Sequence, residues 1–222
     1  KKLDFIKKGC IVFYMEAIKK IELNKIAKII LISLLGTLLL TISAKIKVPF
    51  YPVPMTMQTF VVLFLGIALG PKIGLLTVSL YLFEGIFGLP VFAGTPEKGI
   101  GFAYFMCPTG GYLVGFLVAT YVAGSFKYEN CFDSNKFKLA KENLPFFLAL
   151  RSAITLPHKN FIKVIFAVSL IYIFGLLWLG FLIGWDKPIF QLGAYPFLLA
   201  ELFKMLILAY VAGFFYKIKK II

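Results

Sequence analysis

The chain is poor in the residues that bind metals and in those that cross-link small domains. Its 222 residues include one histidine, His158, and three cysteines, Cys10, Cys107 and Cys131. A single histidine excludes any site built on two histidines. The cysteines are too far apart for metal-binding spacing, and their odd number argues against a disulfide framework. We therefore expect no metal and no cofactor.

The signatures of common enzymes are also missing. The run GTPEKGI, residues 94–100, has the GxxxxG spacing of a phosphate-binding loop, but Ile100 stands where that loop needs a lysine. There is no nucleophile elbow, no zinc signature and no internal repeat of the kind many ion-coupled carriers show. We expect a protein that is not an enzyme, and energised transport would require partners that hydrolyse ATP.

Acidic residues are scarce and apolar residues are abundant. The chain has 24 Lys and Arg against 10 Asp and Glu, and 60% of its residues are hydrophobic, whereas soluble domains are about 45–50% apolar. The basic residues lie in blocks between apolar runs, a pattern typical of membrane topology rather than of nucleic-acid binding. We expect an integral membrane protein surrounded by lipid, with no nucleic-acid partner.

Six apolar stretches predict transmembrane helices. They cover residues 26–46, 56–69, 73–87, 110–126, 161–183 and 196–215. We predict an all-α membrane protein with one membrane domain, residues 26–222, which includes a cytoplasmic loop at 127–160. Residues 1–25 form either a basic amphipathic helix on the membrane surface or a solvated basic arm.

Two connectors between these spans carry helix-breaking residues. Pro49, Pro52 and Pro54 favour an extended connector after the first span. The run Gly70-Pro71-Lys72 predicts a tight turn between the second and third spans.

The distribution of charge predicts the topology. With six spans, 19 of the 24 basic residues fall on the side that holds both termini, and four fall on the other side. The positive-inside rule then places both termini in the cytoplasm of a cell with the chain in its plasma membrane.

The stretch at 88–116 is irregular although apolar residues surround it. Its glycines and prolines interrupt regular structure, and such a backbone cannot face lipid because its polar groups would lack partners. We predict that it caps a small-molecule pocket on the outer side. Gly110 and Gly111 permit close approach of the backbone, and free N–H groups there favour an anion or a carbonyl.

Charged and polar side chains within the spans are the candidates for a binding site. Glu201 and Lys204 are three residues apart and share one helix face. They either form a self-neutralising structural pair or face a cavity, as charged groups in membranes usually do. Gln58, Tyr81 and Glu84 are weaker candidates, since Gln58 also suits an interfacial position and Glu84 a solvated one.

The first span carries a small-residue face, which we define as Ser33, Thr37 and Thr41. Their i, i+4, i+8 spacing places them on one side of the helix. Such a face lets another helix approach closely. It serves either internal packing or contact with a partner subunit.

Several segments together resemble the BioY family, the biotin-specific substrate-binding (S) components of energy-coupling factor (ECF) transporters. They are AKIKVPFYPVPMTMQTF at 44–60, LGPKIG at 69–74, YLFEGIFGLPVFAG at 81–94, PTGGYLVGF at 108–116 and PFLLAELFK at 196–204. The resemblance implies a six-helix S-component bundle that captures biotin from outside. It also implies docking, through the small-residue face, on a transmembrane coupling subunit driven by two ATP-binding cassette ATPases.

The resemblance also implies roles for individual residues. The family's late Asp-x-x-Lys pattern maps onto Glu201 and Lys204, with Glu in place of Asp. Lys204 is then expected to bind the biotin carboxylate, and Glu201 to accept ureido N–H groups or to orient Lys204. Thr109, Gly110, Gly111 and Tyr112 would shape the pocket. The alternatives are an S component for another vitamin, a stand-alone biotin facilitator, and a membrane enzyme acting through Glu84 or Glu201.

Overall fold

The computed structural model is mostly helical. It describes residues 2–48, 53, 55–96, 99–132 and 155–219, and for residues 2–23, 47, 48 and 218 it describes the backbone alone. Residues 133–154 of the predicted cytoplasmic loop lie outside the described part. Helix α1 (Lys2–Lys45) is continuous through the predicted arm and the first span. The division at residue 25 stays a prediction.

A short β-hairpin follows α1. Strand β1 (Lys47–Val48) pairs antiparallel with strand β2 (Met55–Thr56), with Lys47 opposite Thr56 and Val48 opposite Met55. The connector that the prolines predicted to be extended therefore begins and ends in paired strands.

Helix α2 (Gln58–Ile86) is folded back on itself. Gly70 has φ 83° and ψ 174°, which are not helical values, and Pro71 follows it. A Cβ built on Gly74 would lie 3.1 Å from the Cα of Gly66, whereas eight residues of straight helix span about 12 Å. The two halves of α2 are therefore antiparallel neighbours, and the turn predicted at 70–72 is confirmed.

The described part of the second half of the chain contains three long helices and several shorter elements. A 3₁₀ helix (Gly101–Met106) leads into α3 (Gly110–Ser125), and α4 (His158–Ile183) follows the predicted cytoplasmic loop. A short helix α5 (Ile189–Gly193) and a 3₁₀ turn (Tyr195–Phe197) then lead into α6 (Leu198–Ile218). Helix α3 packs between α2 and α4, α6 packs on both α2 and α4, and α1 packs mainly on α2.

The contact between α3 and α4 depends on small residues. A Cβ on Gly111 would collide with the Cβ of Trp178, and one on Gly115 would lie 2.8 Å from the Cα of Ile171. Ala119, one turn further along, is fully buried. The row Gly111, Gly115 and Ala119 thus lets the two helices approach closely, as its spacing predicts.

The outer surface suits a lipid environment. Large apolar side chains such as Leu31, Leu35, Phe181 and Phe214 are more than half exposed, far beyond the scattered apolar exposure of soluble proteins. By length and composition alone, four segments of the described chain could cross a membrane: Asn24–Lys45, Gln58–Ile86, His158–Ile183 and Ile189–Lys217. The prediction of an all-α membrane protein is thus confirmed as a mostly helical chain with several membrane-compatible helices, and its count of six spans stays a prediction.

Candidate functional site

A cavity lies where the β-hairpin, the start of α2, and helices α3, α4 and α6 meet. It encloses about 570 Å³ of space between atoms, a volume that includes the solvent at its open mouth. Its wall combines apolar and polar side chains: Val53, Met55, Thr56, Gln58, Thr59, Ala93, Tyr104, Thr109, Tyr112, Leu113, Phe116, Tyr172, Phe197 and Glu201.

Residues 88–95, which we call the cap segment, contribute Ala93 to the wall of the cavity. Two buried tyrosines hold the backbone of this segment: the Tyr81 hydroxyl donates to the Val91 carbonyl (3.0 Å), and the Tyr104 hydroxyl donates to the Ala93 carbonyl (2.7 Å). Burial raises the pKa of the Tyr104 phenol, which therefore stays protonated and able to donate. These bonds satisfy carbonyls that have no strand or helix partner.

The two charged candidates form a buried ion pair on the α6 side of the cavity. Lys204 Nζ lies 2.7 Å from Glu201 Oε1, and their side chains are 9% and 5% exposed. Lys204 also donates to the Thr56 carbonyl (2.6 Å) and to Thr59 Oγ1 (3.3 Å). The Thr59 hydroxyl in turn donates to Glu201 Oε1 (2.9 Å). Each charge is therefore compensated, as burial requires.

The pair is asymmetric with respect to the cavity. Glu201 lines the cavity, whereas Lys204 is not among the lining residues. An ammonium has three N–H donors, and those of Lys204 have Thr56, Thr59 and Glu201 as acceptors. The Glu201 carboxylate thus faces the cavity, and the Lys204 ammonium lies behind it.

The weaker candidates separate into lining and supporting residues. Gln58 lines the cavity and is buried, and its Nε2 donates to the Tyr81 hydroxyl at 2.7 Å. Tyr81 is fully buried behind Gln58 and does not line the cavity. Glu84 is half-buried and lies outside the cavity wall.

Thr109 is the one side chain in the described part of the chain that has a buried polar atom without a hydrogen-bond partner. Its hydroxyl is next to that of Tyr104, which donates to the Ala93 carbonyl and whose oxygen keeps its capacity to accept. Because Thr109 lines the cavity, a polar atom of a ligand could take the vacant hydrogen bond. An unsatisfied buried hydroxyl is otherwise costly.

The three residues that follow Thr109 are placed differently from one another. Tyr112 lines the cavity with its ring, while its hydroxyl donates to the Gly193 carbonyl at 2.8 Å. Gly110 and Gly111 do not line the cavity. A Cβ on Gly110 would collide with the Phe105 carbonyl, so this glycine serves close packing, as Gly111 does against α4.

The small-residue face of α1 is turned towards α2. Ser33 and Thr37 are buried, Thr41 is half-buried, and Ser33 Oγ accepts a hydrogen bond from Thr77 Oγ1 at 3.3 Å. The structure thus uses this face for internal packing, one of the two roles its spacing predicts. Its role in docking a partner stays a prediction.

Sequence reasoning missed Thr59 and Tyr104, both of which line the cavity and bond to its supports. Neither stands out in the sequence, because threonine and tyrosine are common in membrane spans and their interfaces. Among the described residues, no three His, Cys, Asp or Glu side chains come together as a metal site would require.

Comparison with known proteins gives consistent matches. The BioY family model matches residues 15–220. The chain is 32% identical to the probable biotin transporter BioY of Pyrococcus horikoshii, over 75% of this chain and 82% of that protein. It is also 32% identical to the biotin transporter BioY of Thermotoga maritima, over 79% of this chain and 88% of that one.

The fold has a counterpart among solved structures. The crystal structure of the S-component for biotin from an ECF-type ABC transporter aligns with a TM-score of 0.60 and 23% identity. The alignment covers 87% of this chain and 93% of the solved one.

Proposed function

Because the chain belongs to the BioY family, we propose that it is a biotin-binding S component and captures biotin for uptake across the membrane. The cavity beside Glu201 carries this proposal. Its wall is mostly apolar and carries a few polar groups, which is the usual composition of a small-molecule site. Biotin combines an apolar thioether ring with a ureido head and a carboxylate, so it suits such a wall.

The geometry of the ion pair favours one of the two roles expected for Glu201. A ureido head presents two N–H donors, and Glu201 is the anionic acceptor in the wall. We assign Glu201 to these donors. We assign Lys204 to orienting and neutralising Glu201 rather than to the ligand carboxylate, because its three N–H groups already have acceptors in the protein.

Equilibrium binding of labelled biotin to the detergent-purified chain tests the proposal. We expect saturable binding that unlabelled biotin competes and that riboflavin and thiamine do not. Glu201→Gln should weaken binding at least about tenfold, because hydrogen bonds to a charged group are worth about 1.5–3 kcal/mol. Glu84→Gln is the matched control outside the cavity and should bind as the parent does. Equal affinities for the two variants would refute the assigned role of Glu201.

We further propose six crossings for this chain: α1, the two halves of α2, and α3, α4 and α6. The reversal at Gly70 and the 16-residue apolar helix Gly110–Ser125 support this count. With six crossings, the positive-inside rule assigns the cap segment to the outside of the cell and both termini to the cytoplasm. We propose that the membrane is the plasma membrane.

The partners that we propose are an ECF coupling subunit and two ATP-binding cassette ATPases. No ATP-binding loop occurs in the chain, so uptake against a gradient would depend on them. Uptake of labelled biotin in cells with and without the coupling module tests this. Equal accumulation without the module would favour the stand-alone facilitator.

A further inference from the structure

Lys45 reaches from the last turn of α1 to the cap segment. Its Nζ lies within hydrogen-bond distance of four oxygens that share its three N–H groups: the carbonyls of Pro90 (2.8 Å) and Phe92 (3.2 Å), and the carbonyl and hydroxyl of Thr95 (3.4 and 3.2 Å). These acceptors are 45–50 residues away along the chain. A basic residue in the last turn of a helix commonly bonds the carbonyls of its own helix, whereas the Lys45 ammonium bonds carbonyls of the cap segment.

The carbonyls that Lys45 holds belong to backbone without regular structure. Residues 88–95 form turns and bends. The N–H groups of Gly88 and Leu89 bond carbonyls at the end of α2, but the carbonyls of residues 90–95 have no strand or helix partner among the described residues. The hydroxyls of Tyr81 and Tyr104 donate hydrogen bonds to the carbonyls of Val91 and Ala93, respectively. Lys45 donates to the carbonyls of Pro90 and Phe92, which alternate with these two along the chain. One ammonium therefore supplies hydrogen bonds that a neighbouring strand would supply in a β-sheet.

The held segment contributes to the wall of the cavity. Ala93 lines the cavity directly. Phe92 stacks on Tyr104 with ring centroids 4.7 Å apart and meets Tyr81 edge-on at 5.4 Å. Fixing the carbonyls on either side of Ala93 therefore fixes one face of the binding site, although Lys45 itself is exposed and does not line the cavity.

We propose that Lys45 is a positioning residue that clamps the cap segment over the cavity and so sets the rate at which bound ligand leaves. The proposal rests on the proposed function, since it takes the cavity to be the ligand site. It adds a contact from α1 that none of the assigned binding residues supplies.

The test combines two measurements on Lys45→Met, a variant that keeps the length of the side chain and removes the donors. The first is hydrogen–deuterium exchange of the ligand-free chain, in which exchange should accelerate in residues 88–95. The second is the dissociation rate of labelled biotin, which should rise about tenfold, the change that 1.4 kcal/mol produces. The association rate should not fall, because a looser cap does not hinder entry.

Two further variants serve as matched controls. Lys187→Met removes an exposed lysine that lies between α4 and α5 and should leave both measurements unchanged. Lys45→Arg keeps the charge and the donors and should restore most of the slow dissociation. If Lys45→Met does not fold, Thr95→Val removes one acceptor of Lys45, together with the bond that the Thr95 hydroxyl donates to the Phe92 carbonyl at 2.8 Å, and should raise both rates by a smaller factor.

Unchanged exchange and unchanged dissociation in Lys45→Met, or in Thr95→Val if that variant must be used, would overturn the clamp. The two measurements also separate this proposal from the proposed function. Faster exchange in a chain that binds no biotin would refute the biotin site alone. Normal biotin binding with unaltered exchange and dissociation would refute the clamp alone.

Discussion

At the scale of single residues, the binding site depends on hydroxyl groups whose importance only the fold reveals. Glu201 and Lys204 are conspicuous in the sequence because charged side chains are rare in apolar spans. Thr59 is not conspicuous, yet its hydroxyl lies between the two charges, accepting from Lys204 and donating to Glu201. That position depends on how the start of α2 packs against α6, which no local pattern encodes.

Glycines show the same limit of sequence reasoning. Gly110 and Gly111 signal that something approaches the backbone closely, and the structure agrees. The neighbours are the Phe105 carbonyl and Trp178, whereas the sequence suggested a ligand. A missing side chain marks a close contact without identifying the group in contact.

Thr109→Val separates a ligand-binding role from a structural one. The substitution removes a buried hydroxyl that has no partner in the described structure and keeps the branched shape of the side chain. An unsatisfied buried polar group costs about 1–3 kcal/mol, so the thermal midpoint of the ligand-free protein should stay constant or rise. Biotin affinity should fall several-fold, because the ligand loses a hydrogen bond.

Both quantities can be measured on one detergent-purified sample, by thermal unfolding and by titration with labelled biotin. Thr77→Val is the control, since Thr77 bonds Ser33 and the carbonyl of Ile73 away from the cavity. It should lower the midpoint and spare the affinity. A lowered midpoint in Thr109→Val would show that the hydroxyl has a partner within the protein.

At the scale of elements, the fold depends on the close crossing of the α2 hairpin and α3. A Cβ on Gly124 would lie 2.6 Å from the Pro71 nitrogen and 2.7 Å from the Gly66 carbonyl oxygen. A Cβ on Gly66 would lie 2.5 Å from the Thr120 carbonyl oxygen. Backbone atoms cannot rotate away as the end of a side chain can, so this crossing has little tolerance for added volume.

Gly124→Ala should therefore destabilise the protein. Alanine gains up to about 1 kcal/mol of helix propensity over glycine, but overpacking against backbone costs about 1–3 kcal/mol. The close backbone atoms of Pro71, Gly66 and Gly70 favour the upper end of that range. We expect a lower thermal midpoint. Val114→Ala, at an exposed position on the same helix, should change the midpoint little. An unchanged midpoint in Gly124→Ala would mean that the hairpin and α3 are further apart than described.

The elements also show which predictions a sequence supports. The reversal at Gly70-Pro71 is readable because glycine supplies the positive φ and proline ends the helix. The element that packs on the small-residue face of α1 cannot be predicted from the sequence, because the spacing defines one side of the helix without identifying what lies against it. The structure places α2 there, and Ser33 bonds Thr77.

At the scale of the whole molecule, the ends of the helices and the distribution of charge lead to one testable topology. Lys187 lies between α4 and α6, on the side that the positive-inside rule assigns to the exterior, and Lys72 lies at the turn of the α2 hairpin, on the side assigned to the cytoplasm. Both lysines are exposed. They are therefore suitable positions for single cysteines in a chain whose Cys10, Cys107 and Cys131 are replaced by serine.

A membrane-impermeant maleimide applied to intact cells should label Lys187→Cys and should label Lys72→Cys only after permeabilisation. The experiment also distinguishes a spanning hairpin from a re-entrant one. If both halves of α2 cross the membrane, the turn at Lys72 is on the opposite side from the cap segment. If the hairpin enters and returns without crossing, Lys72 is accessible from outside or from neither side. Labelling of both cysteines in intact cells would therefore contradict the six-crossing arrangement and the outward position of the cap segment that depends on it.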